Sequence, residues 1–317
     1  MKILSTVRLP DHDKERLSKK YPQCTFVFDQ KINKAVEYLK EAEILLTYGE
    51  DLNEEHVYSA SDLKWIMVAS AGLEKMPFSA LQEKNVLVTN ARGIHKIPMA
   101  EYTLAMMLQV SRQAKVLSKN EAEQNWTRKV EMVELFGKTI VVLGAGAIGS
   151  EIARLCKAFN MRTIGINTTE NDVPHFDQIV KIDKLDNVVG DGDFVVSALP
   201  STRQTQGILG IDQFKFMKRE AVLINIGRGD AIIEKDLIKA LSENLLKHAV
   251  LDVFIKEPLH MEHPFWTMDN VTVTPHLSGI SKMYLPRALE IFEDNLNMYL
   301  SGKLNEMRNP IQLEKGY

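Results

Sequence analysis

The chain of 317 residues is long enough for two domains, and its 45% hydrophobic and 26% charged residues are typical of a folded globular protein. A formal net charge of -3 argues against the basic surface that nucleic-acid binding needs, so we expect small-molecule partners. Cys24 and Cys156 lie far apart without metal-ligand spacing. The sequence contains neither a run of about 18 apolar residues nor an export signal, so we expect no membrane span and a cytoplasmic location.

Short apolar runs alternate with helical patterns along the whole chain, which predicts an α/β fold with parallel sheets. Five strands are predicted in the first part, at residues 2–5, 25–28, 44–47, 65–68 and 86–89. The helices predicted between them are 13–20, 33–40 and 53–60. A single long helix, 99–119, begins after Pro98 and is expected to lead into the second part.

Seven further strands are predicted in the second part, at 139–143, 162–166, 178–182, 194–198, 222–226, 249–253 and 271–274. The last helix, about 285–300, is too short to form a domain and is expected to return to the first part. We therefore predict a discontinuous domain, 1–98 with 284–317, and a second domain, 99–283.

A glycine-rich turn follows the first strand of the second part. In TIVVLGAGAIG, a predicted strand runs into G-x-G-x-x-G and then into a helix. Gly144 permits the tight turn, Gly146 lets the backbone approach a diphosphate, and Gly149 lets the helix pack closely on the strand. The helix N-terminus, with Ala147 and Ile148, adds amide donors and a positive dipole end. The pattern predicts a dinucleotide site.

The next predicted strand, RTIGI, is followed by Asn167, Thr168 and Thr169. An NAD site usually has an acidic residue there, which binds the ribose hydroxyls. Without that carboxylate a 2′-phosphate is not repelled, and the threonine hydroxyls can donate to it. No arginine follows immediately, so NAD and NADP both stay open, with NADP favoured.

Three ionisable residues come directly after successive strands of the second part. They are Arg228 after VLINI, Glu257 after AVLDV and His276 after VTVTP. Ligands bind at the carboxyl ends of strands in open parallel sheets, so we expect all three at the reactive end of the cofactor. Taken singly, Arg228 could be a surface ion-pair partner, Glu257 a solvated acid and His276 a buried histidine. Together, beside a dinucleotide motif, they favour a catalytic site.

The segments VLINIGRG, VLDVFIKEPL and NVTVTPHLSG, with the GAGAIG turn, resemble the D-isomer-specific 2-hydroxyacid dehydrogenase family over nearly the whole chain. The resemblance implies a Rossmann-type doubly wound parallel sheet for the cofactor and a smaller, discontinuous, flavodoxin-like α/β domain for the substrate. It implies catalysis between the two domains by Arg228, Glu257 and His276. It also implies a homodimer and no metal, and other histidines such as His95 lack metal-ligand spacing.

The three residues suit the reduction of a small 2-keto acid to a D-2-hydroxy acid by NAD(P)H. His276 would protonate the oxyanion that hydride addition leaves, or remove the hydroxyl proton in reverse. Glu257, bonded to the other ring nitrogen, would orient the imidazole and favour its charged form. Arg228 would bind the substrate carboxylate and polarise the carbonyl. The resemblance suggests glyoxylate or hydroxypyruvate as the substrate.

Further binding residues are implied by the same resemblance. On the substrate side they are Tyr48, Ser70, Ala71 and Gly72, for which ordinary packing and an ordinary turn are the alternatives. On the cofactor side they are Leu199, Pro200, Thr205, Ile226, Gly227, Asp252 and Gly279. Asp252 is equally well explained as a strand-end cap.

Two other functions stay open. A nucleotide-sensing binding protein, as the C-terminal binding protein corepressors are on a similar fold, would bind NAD(P) without turnover. A phosphoglycerate-type dehydrogenase is the second alternative, although the chain stops without the regulatory domain that many such enzymes carry. The near-average charge and the absence of extensions favour the keto acid enzyme over the sensor.

Overall fold

The computed structural model describes residues 1–73 and 75–313. Its strands are β1 (Lys2–Ser5), β2 (Thr25–Phe28), β3 (Ile44–Thr47), β4 (Trp65–Val68), β5 (Leu87–Asn90), β6 (Thr139–Leu143), β7 (Arg162–Asn167), β8 (Gln178–Lys181), β9 (Phe194–Ser197), β10 (Val222–Asn225), β11 (His248–Leu251) and β12 (Val271–Val273). Its helices are α1 (Asp11–Lys20), α2 (Val36–Lys40), α3 (Glu54–Ser59), α4 (Phe78–Glu83), α5 (Lys96–Ser111), α6 (Ala114–Ala122), α7 (Ala147–Ala158), α8 (Ile211–Phe216), α9 (Glu234–Ser242) and α10 (Tyr284–Leu300).

The chain divides into two compact units, which we call unit 1 (Met1–Ile94 with Ser281–Tyr317) and unit 2 (His95–Ile280). The domain boundaries predicted from the sequence lie within a few residues of these divisions. The substrate and cofactor roles given to the two domains stay predictions. In the described ranges, no helix is both long and apolar enough to cross a membrane.

Unit 1 contains a five-stranded parallel sheet in the order β2-β1-β3-β4-β5, which is the flavodoxin-like order. Both faces of this sheet are covered, because Ile44 and Leu46 join one apolar core while Leu45 joins the other. Helix α10 contributes Leu289 and Phe292 to the first core. Burial on both faces explains why these strands are continuous apolar runs in the sequence.

Unit 2 contains a seven-stranded parallel sheet in the order β12-β11-β10-β9-β6-β7-β8. Val141 and Ile140 on β6 belong to the cores on opposite faces. The chain proceeds from β6 to β8 on one side and then crosses to β9, so a topological switch point lies between β6 and β9. Ligands bind at the carboxyl ends of the strands at such a point. The two parallel sheets confirm the predicted fold class.

The prediction of one long helix at 99–119 is wrong, because the structure has two helices, α5 and α6. Between them Gln113 adopts a left-handed backbone with φ of 55°. This conformation ends the regular hydrogen bonding of α5 and starts α6 in a new direction. The six-residue helix α4 was not predicted, because it is too short to show a helical period.

His248, the first residue of β11, carries a partly buried imidazole whose Nε2 lies 2.9 Å from Oγ1 of Thr272. Burial and, to a smaller extent, the charge of Lys115 together lower the pKa of His248 from 6.5 to about 4. The unfolded chain therefore binds this proton more tightly than the folded chain does. Stability from the neutral ring is complete above pH 6.5 and is lost as the pH falls toward 4.

We expect His248→Gln to reduce the loss of stability between pH 7 and pH 4 by about 3 kcal/mol at most, since the neutral amide has no proton to bind. Urea unfolding at a series of pH values measures this difference. His12→Gln, at an exposed histidine, is the matched control and should follow the wild-type curve. If His248→Gln lost as much stability between pH 7 and pH 4 as the wild type, the pH dependence could not be attributed to His248.

Candidate active site

The chain turns sharply between β6 and α7, at the glycine motif. Gly144 has φ of 97°, and a Cβ there would lie 2.9 Å from the carbonyl oxygen of Ala198. A Cβ at Gly149 would lie 2.3 Å from the carbonyl oxygen of Gly144. A Cβ at Gly146, by contrast, would meet no atom within 4 Å. The turn is therefore tightly packed at Gly144 and Gly149 and open at Gly146.

This opening fits the diphosphate of a dinucleotide. Gly146 is the N-cap of α7, so the amides of Ala147, Ile148 and Gly149 form its first turn. Such amides lack partners within the helix and carry the positive end of its dipole. Open space above Gly146 and donors beside it are what a bound diphosphate requires.

The predicted cofactor residues after β9 and β10 lie against one another. A Cβ at Gly227 would be 2.6 Å from the carbonyl oxygen of Leu199, and Ile226 is buried beside this contact. Pro200 is exposed, whereas the Thr205 hydroxyl is buried and donates to the Pro200 carbonyl oxygen at 2.6 Å. The Thr205 side chain therefore stabilises this turn, and its contact with the cofactor stays a prediction.

The end of β7 carries neutral side chains. The Oδ1 atom of Asn167 accepts from the backbone N–H of Thr168 at 2.9 Å, and Thr168 and Thr169 are exposed. Asn167 pairs in register with Lys181, the last residue of β8. This edge of the sheet therefore carries a basic residue, Lys181, beside Asn167. An NAD site would usually have an acidic residue at the position of Asn167.

Asp252, directly after β11, has a fully buried side chain. Its Oδ1 atom accepts from the Thr274 hydroxyl at 2.6 Å and from the Leu277 N–H at 3.0 Å. Its Oδ2 atom accepts from the Ser278 N–H at 2.9 Å, and its carbonyl oxygen from the His276 N–H at 2.8 Å. These bonds favour the strand-end cap over the predicted cofactor contact, because the carboxylate is used to hold the turn after β12.

That turn brings His276 to Glu257. Nδ1 of His276 lies 2.8 Å from Oε2 of Glu257, and Oε1 of Glu257 accepts from the Phe254 N–H at 3.0 Å. The His276 side chain is 52% exposed and that of Glu257 is 35% exposed. Because a carboxylate only accepts, the Nδ1 atom carries the proton and Nε2 is the nitrogen left for a ligand.

The turn at Arg228 packs directly against the segment that leads to Glu257. A Cβ at Gly229 would lie 2.0 Å from the carbonyl carbon of Phe254, so the two backbones are in contact. The Nη1 atom of Arg228 donates to the Gly227 carbonyl oxygen at 2.9 Å, and the side chain is exposed. The three predicted catalytic residues therefore lie on loops that touch at one edge of the sheet of unit 2.

The predicted substrate residues lie together at the carboxyl edge of the sheet of unit 1. The Ser70 hydroxyl is 3.3 Å from the Tyr48 carbonyl oxygen and 2.9 Å from that of Gly72. Asn90 donates through Nδ2 to the Ala71 carbonyl oxygen at 3.0 Å. The bonds to the carbonyl oxygens of Ala71 and Gly72 hold this loop in place. Burial raises the pKa of the Tyr48 phenol.

His95 is a residue that the sequence analysis set aside. It precedes α5, and its Nδ1 atom lies 3.3 Å from the carbonyl oxygen of Gly279. A Cβ at Gly279 would be 2.9 Å from the same Nδ1 atom, so the imidazole lies on the backbone of Gly279. Metal-ligand spacing could not reveal this contact, since its two partners are 184 residues apart.

A family model described as D-isomer specific 2-hydroxyacid dehydrogenase, NAD binding domain, matches residues 104–278, more than half of the chain. The chain belongs to this family. Family members are NAD(P)-dependent oxidoreductases that act on CH–OH donors. The matched segment lies within unit 2 and contains Gly144, Arg228, Glu257 and His276.

Relatives of this chain are named after different enzyme activities. D-3-phosphoglycerate dehydrogenase of Methanocaldococcus jannaschii is 32% identical over 274 residues, which are 86% of this chain and 52% of that one. The chain thus spans about half the length of this relative. Glyoxylate reductase of Pyrococcus furiosus is 28% identical over 314 residues, which are 96% of this chain and 93% of that one.

A solved structure supports the same family. The D-isomer specific 2-hydroxyacid dehydrogenase family protein of Aeromonas salmonicida subsp. salmonicida matches with a TM-score of 0.85 and 29% identity. The match covers 98% of this chain and 99% of that one.

We expect Gly146→Ala and Gly149→Ala to have opposite effects. The methyl group at position 146 enters open space, so it should leave the melting temperature unchanged and weaken NAD(P)H binding about tenfold or more by blocking the diphosphate. The methyl group at 149 meets backbone, and it should lower stability by roughly 1–3 kcal/mol. Differential scanning fluorimetry and fluorescence titration measure the two quantities. Unchanged nucleotide affinity in Gly146→Ala would place the diphosphate elsewhere.

Proposed function

We propose that the protein catalyses reversible hydride transfer between NAD(P)H and a small 2-keto acid, giving a D-2-hydroxy acid. The observation that carries this proposal is the His276–Glu257 hydrogen bond of 2.8 Å, on loops that adjoin the Arg228 turn. The nicotinamide supplies or accepts the hydride when the cofactor is bound. The chain itself must bind the acid, move one proton and stabilise an oxyanion.

His276 is the proton donor of the reduction in this proposal. Glu257 accepts the Nδ1 proton, so it holds the ring in one orientation and stabilises the imidazolium form. Nε2 then gives its proton to the oxygen of the former carbonyl, and in the oxidation it takes that proton back. Both directions use the same nitrogen, which suits a reversible reaction.

Arg228 binds the acid and polarises its carbonyl. A guanidinium offers donors in a planar fork, so it can bond a carboxylate and a neighbouring carbonyl oxygen together. Its Nη1 atom also donates to the Gly227 carbonyl oxygen, and a guanidinium has five N–H donors in all. Charge that develops on the oxygen is thereby stabilised.

The loop Ser70, Ala71 and Gly72 is the proposed binding site for the substrate carboxylate in unit 1. Its carbonyl groups accept from Ser70 and Asn90, so the backbone N–H groups are the donors suited to an anion. Tyr48, at the same edge, is proposed to contact the substrate side chain.

NADP is the favoured cofactor. Asn167 ends β7 without a negative charge, and the register places Lys181 on the adjacent strand end. A 2′-phosphate at this edge would meet a basic residue and hydroxyl donors instead of a repelling carboxylate.

Glyoxylate or hydroxypyruvate is the proposed substrate. The support is the full-length match to the glyoxylate reductase of Pyrococcus furiosus, which covers 93% of that protein. Phosphoglycerate dehydrogenation is the second candidate, because the Methanocaldococcus jannaschii relative has the higher identity of 32%.

We also propose a cytoplasmic homodimer. The segment after α6 exposes large apolar side chains, with Trp126 96% exposed and Phe136 70% exposed. Such groups are typical of surfaces that a partner covers. Cys24 and Cys156 are free and buried, which fits a reducing compartment.

We expect His276→Ala to lower kcat for keto acid reduction by about a hundredfold or more with nearly unchanged NAD(P)H affinity, since the proton donor is lost. Glu257→Gln should also lower kcat, because the ring loses the carboxylate that accepts its Nδ1 proton and holds its orientation. Stopped-flow and steady-state rates between pH 5 and 9 check both. Wild-type turnover in His276→Ala would falsify the proton donor.

A substrate panel tests the function itself. We expect kcat/KM to be highest for glyoxylate or hydroxypyruvate with NADPH, compared with pyruvate, a branched keto acid, phosphohydroxypyruvate and NADH. Preference for phosphohydroxypyruvate would replace the first candidate by the second. Tight nucleotide binding without turnover of any acid would point to a nucleotide sensor.

A further inference from the structure

We propose that His95 is a positioning residue, which holds the far end of the turn carrying His276 by donating its Nδ1 proton to the carbonyl oxygen of Gly279. The inference rests on the proposed function only in calling His276 the proton donor. The contact itself lies wholly within unit 2 and joins the first turn of α5 to the segment after β12.

The turn after β12 has a firm anchor at its beginning. Asp252 accepts from the N–H groups of His276, Leu277 and Ser278, and this network ends at Ser278. His276 has φ of 52°, a left-handed conformation that is rare for a residue with a side chain and must be held by its surroundings. One more anchor beyond Ser278 would fix the turn at both ends.

His95 provides that second anchor. Its Nδ1 atom lies 3.3 Å from the Gly279 carbonyl oxygen, and its ring covers the Cα atom of Gly279 so closely that a Cβ would be 2.9 Å away. The 3.3 Å separation is long for a hydrogen bond, so the packing of the ring on the glycine contributes as well. Position 279 thus requires a glycine because the His95 ring leaves no room for a Cβ atom, and not because of the backbone φ at 279.

The chemistry of the ring agrees with this role. A carbonyl oxygen only accepts, so Nδ1 must carry the proton, and a neutral ring then has no proton on Nε2. Burial lowers the pKa of His95 more than the hydrogen bond to Gly279 raises it, and the charges of Arg228 and His276 lower it as well. A neutral ring adds no third positive charge beside these two residues, whereas a lysine or arginine at 95 would.

Three substitutions at His95 test the role. Asparagine keeps a nitrogen donor where Nδ1 stands, glutamine carries its donor one atom further, and leucine has none. We expect His95→Gln and His95→Leu to lower kcat for glyoxylate about tenfold or more, with little change in NADPH affinity or melting temperature. His95→Asn should restore most of kcat. His12→Leu is the control at an exposed histidine. Equal losses for asparagine and glutamine, or full activity of His95→Leu, would overturn the proposal.

A second measurement needs no turnover. In the nucleotide-free protein labelled with ¹⁵N-histidine, the His95 ring should show a protonated Nδ1 and an unprotonated Nε2, and the opposite tautomer refutes the contact. Amide hydrogen exchange at Gly279 and Ile280 should be faster in His95→Leu than in His95→Asn. If the wild type reduces no keto acid, the proposed function fails while these two signals still decide the role of His95.

Discussion

The site of unit 2 depends on one buried carboxylate. Asp252 has no exposed surface, and its two oxygen atoms accept from Thr274, Leu277 and Ser278. A buried charge costs several kcal/mol unless hydrogen bonds satisfy it, and these donors are available only while the turn after β12 keeps its shape. If the turn changed shape, the carboxylate would lose its hydrogen-bond donors, at a cost in free energy. That cost maintains the left-handed backbone at His276. The same bonds aim the imidazole at Glu257.

Tyr102 extends this network into α5. Its Oη atom lies 2.6 Å from Oγ1 of Thr274, the same hydroxyl that donates to Asp252. Burial raises the pKa of Tyr102 to about 12, so the phenol stays protonated and can take part in the chain of hydrogen bonds. The turn that carries His276 is thereby tied to a helix as well as to the sheet, and rigid supports of this kind keep functional groups in place.

Much of the fold could be predicted because both sheets are buried on two faces. Strands β1, β3 and β4 are uninterrupted apolar runs, and their bounds agree with those expected from the sequence. The break between α5 and α6 could not be predicted, because Gln113 takes up a left-handed backbone without a glycine or proline to mark it. Helix α4 has fewer than two turns, which is too little sequence for a period to appear.

The part of the candidate site that could be predicted is the part whose residues directly follow predicted strands. Arg228, Glu257 and His276 come after neighbouring parallel strands, so the topology alone brings them to one edge. The partners of Asp252 and His95 are set by tertiary hydrogen bonds, to which neither spacing nor periodicity is sensitive, whereas Thr205 bonds within its own turn. The cofactor contacts expected of Thr205 and Asp252 stay predictions, and no role was predicted for His95.

The contact between Gly229 and Phe254 has a mechanical consequence. Because the two backbones touch with no side chain between them, the loop after β10 and the loop after β11 form a single stiff piece at this point. A displacement of the main chain at Gly229 would therefore move the main chain at Phe254, whose N–H donates to the Glu257 carboxylate. Engineering that seeks to widen the distance between these groups would have to begin by separating those two stretches of main chain.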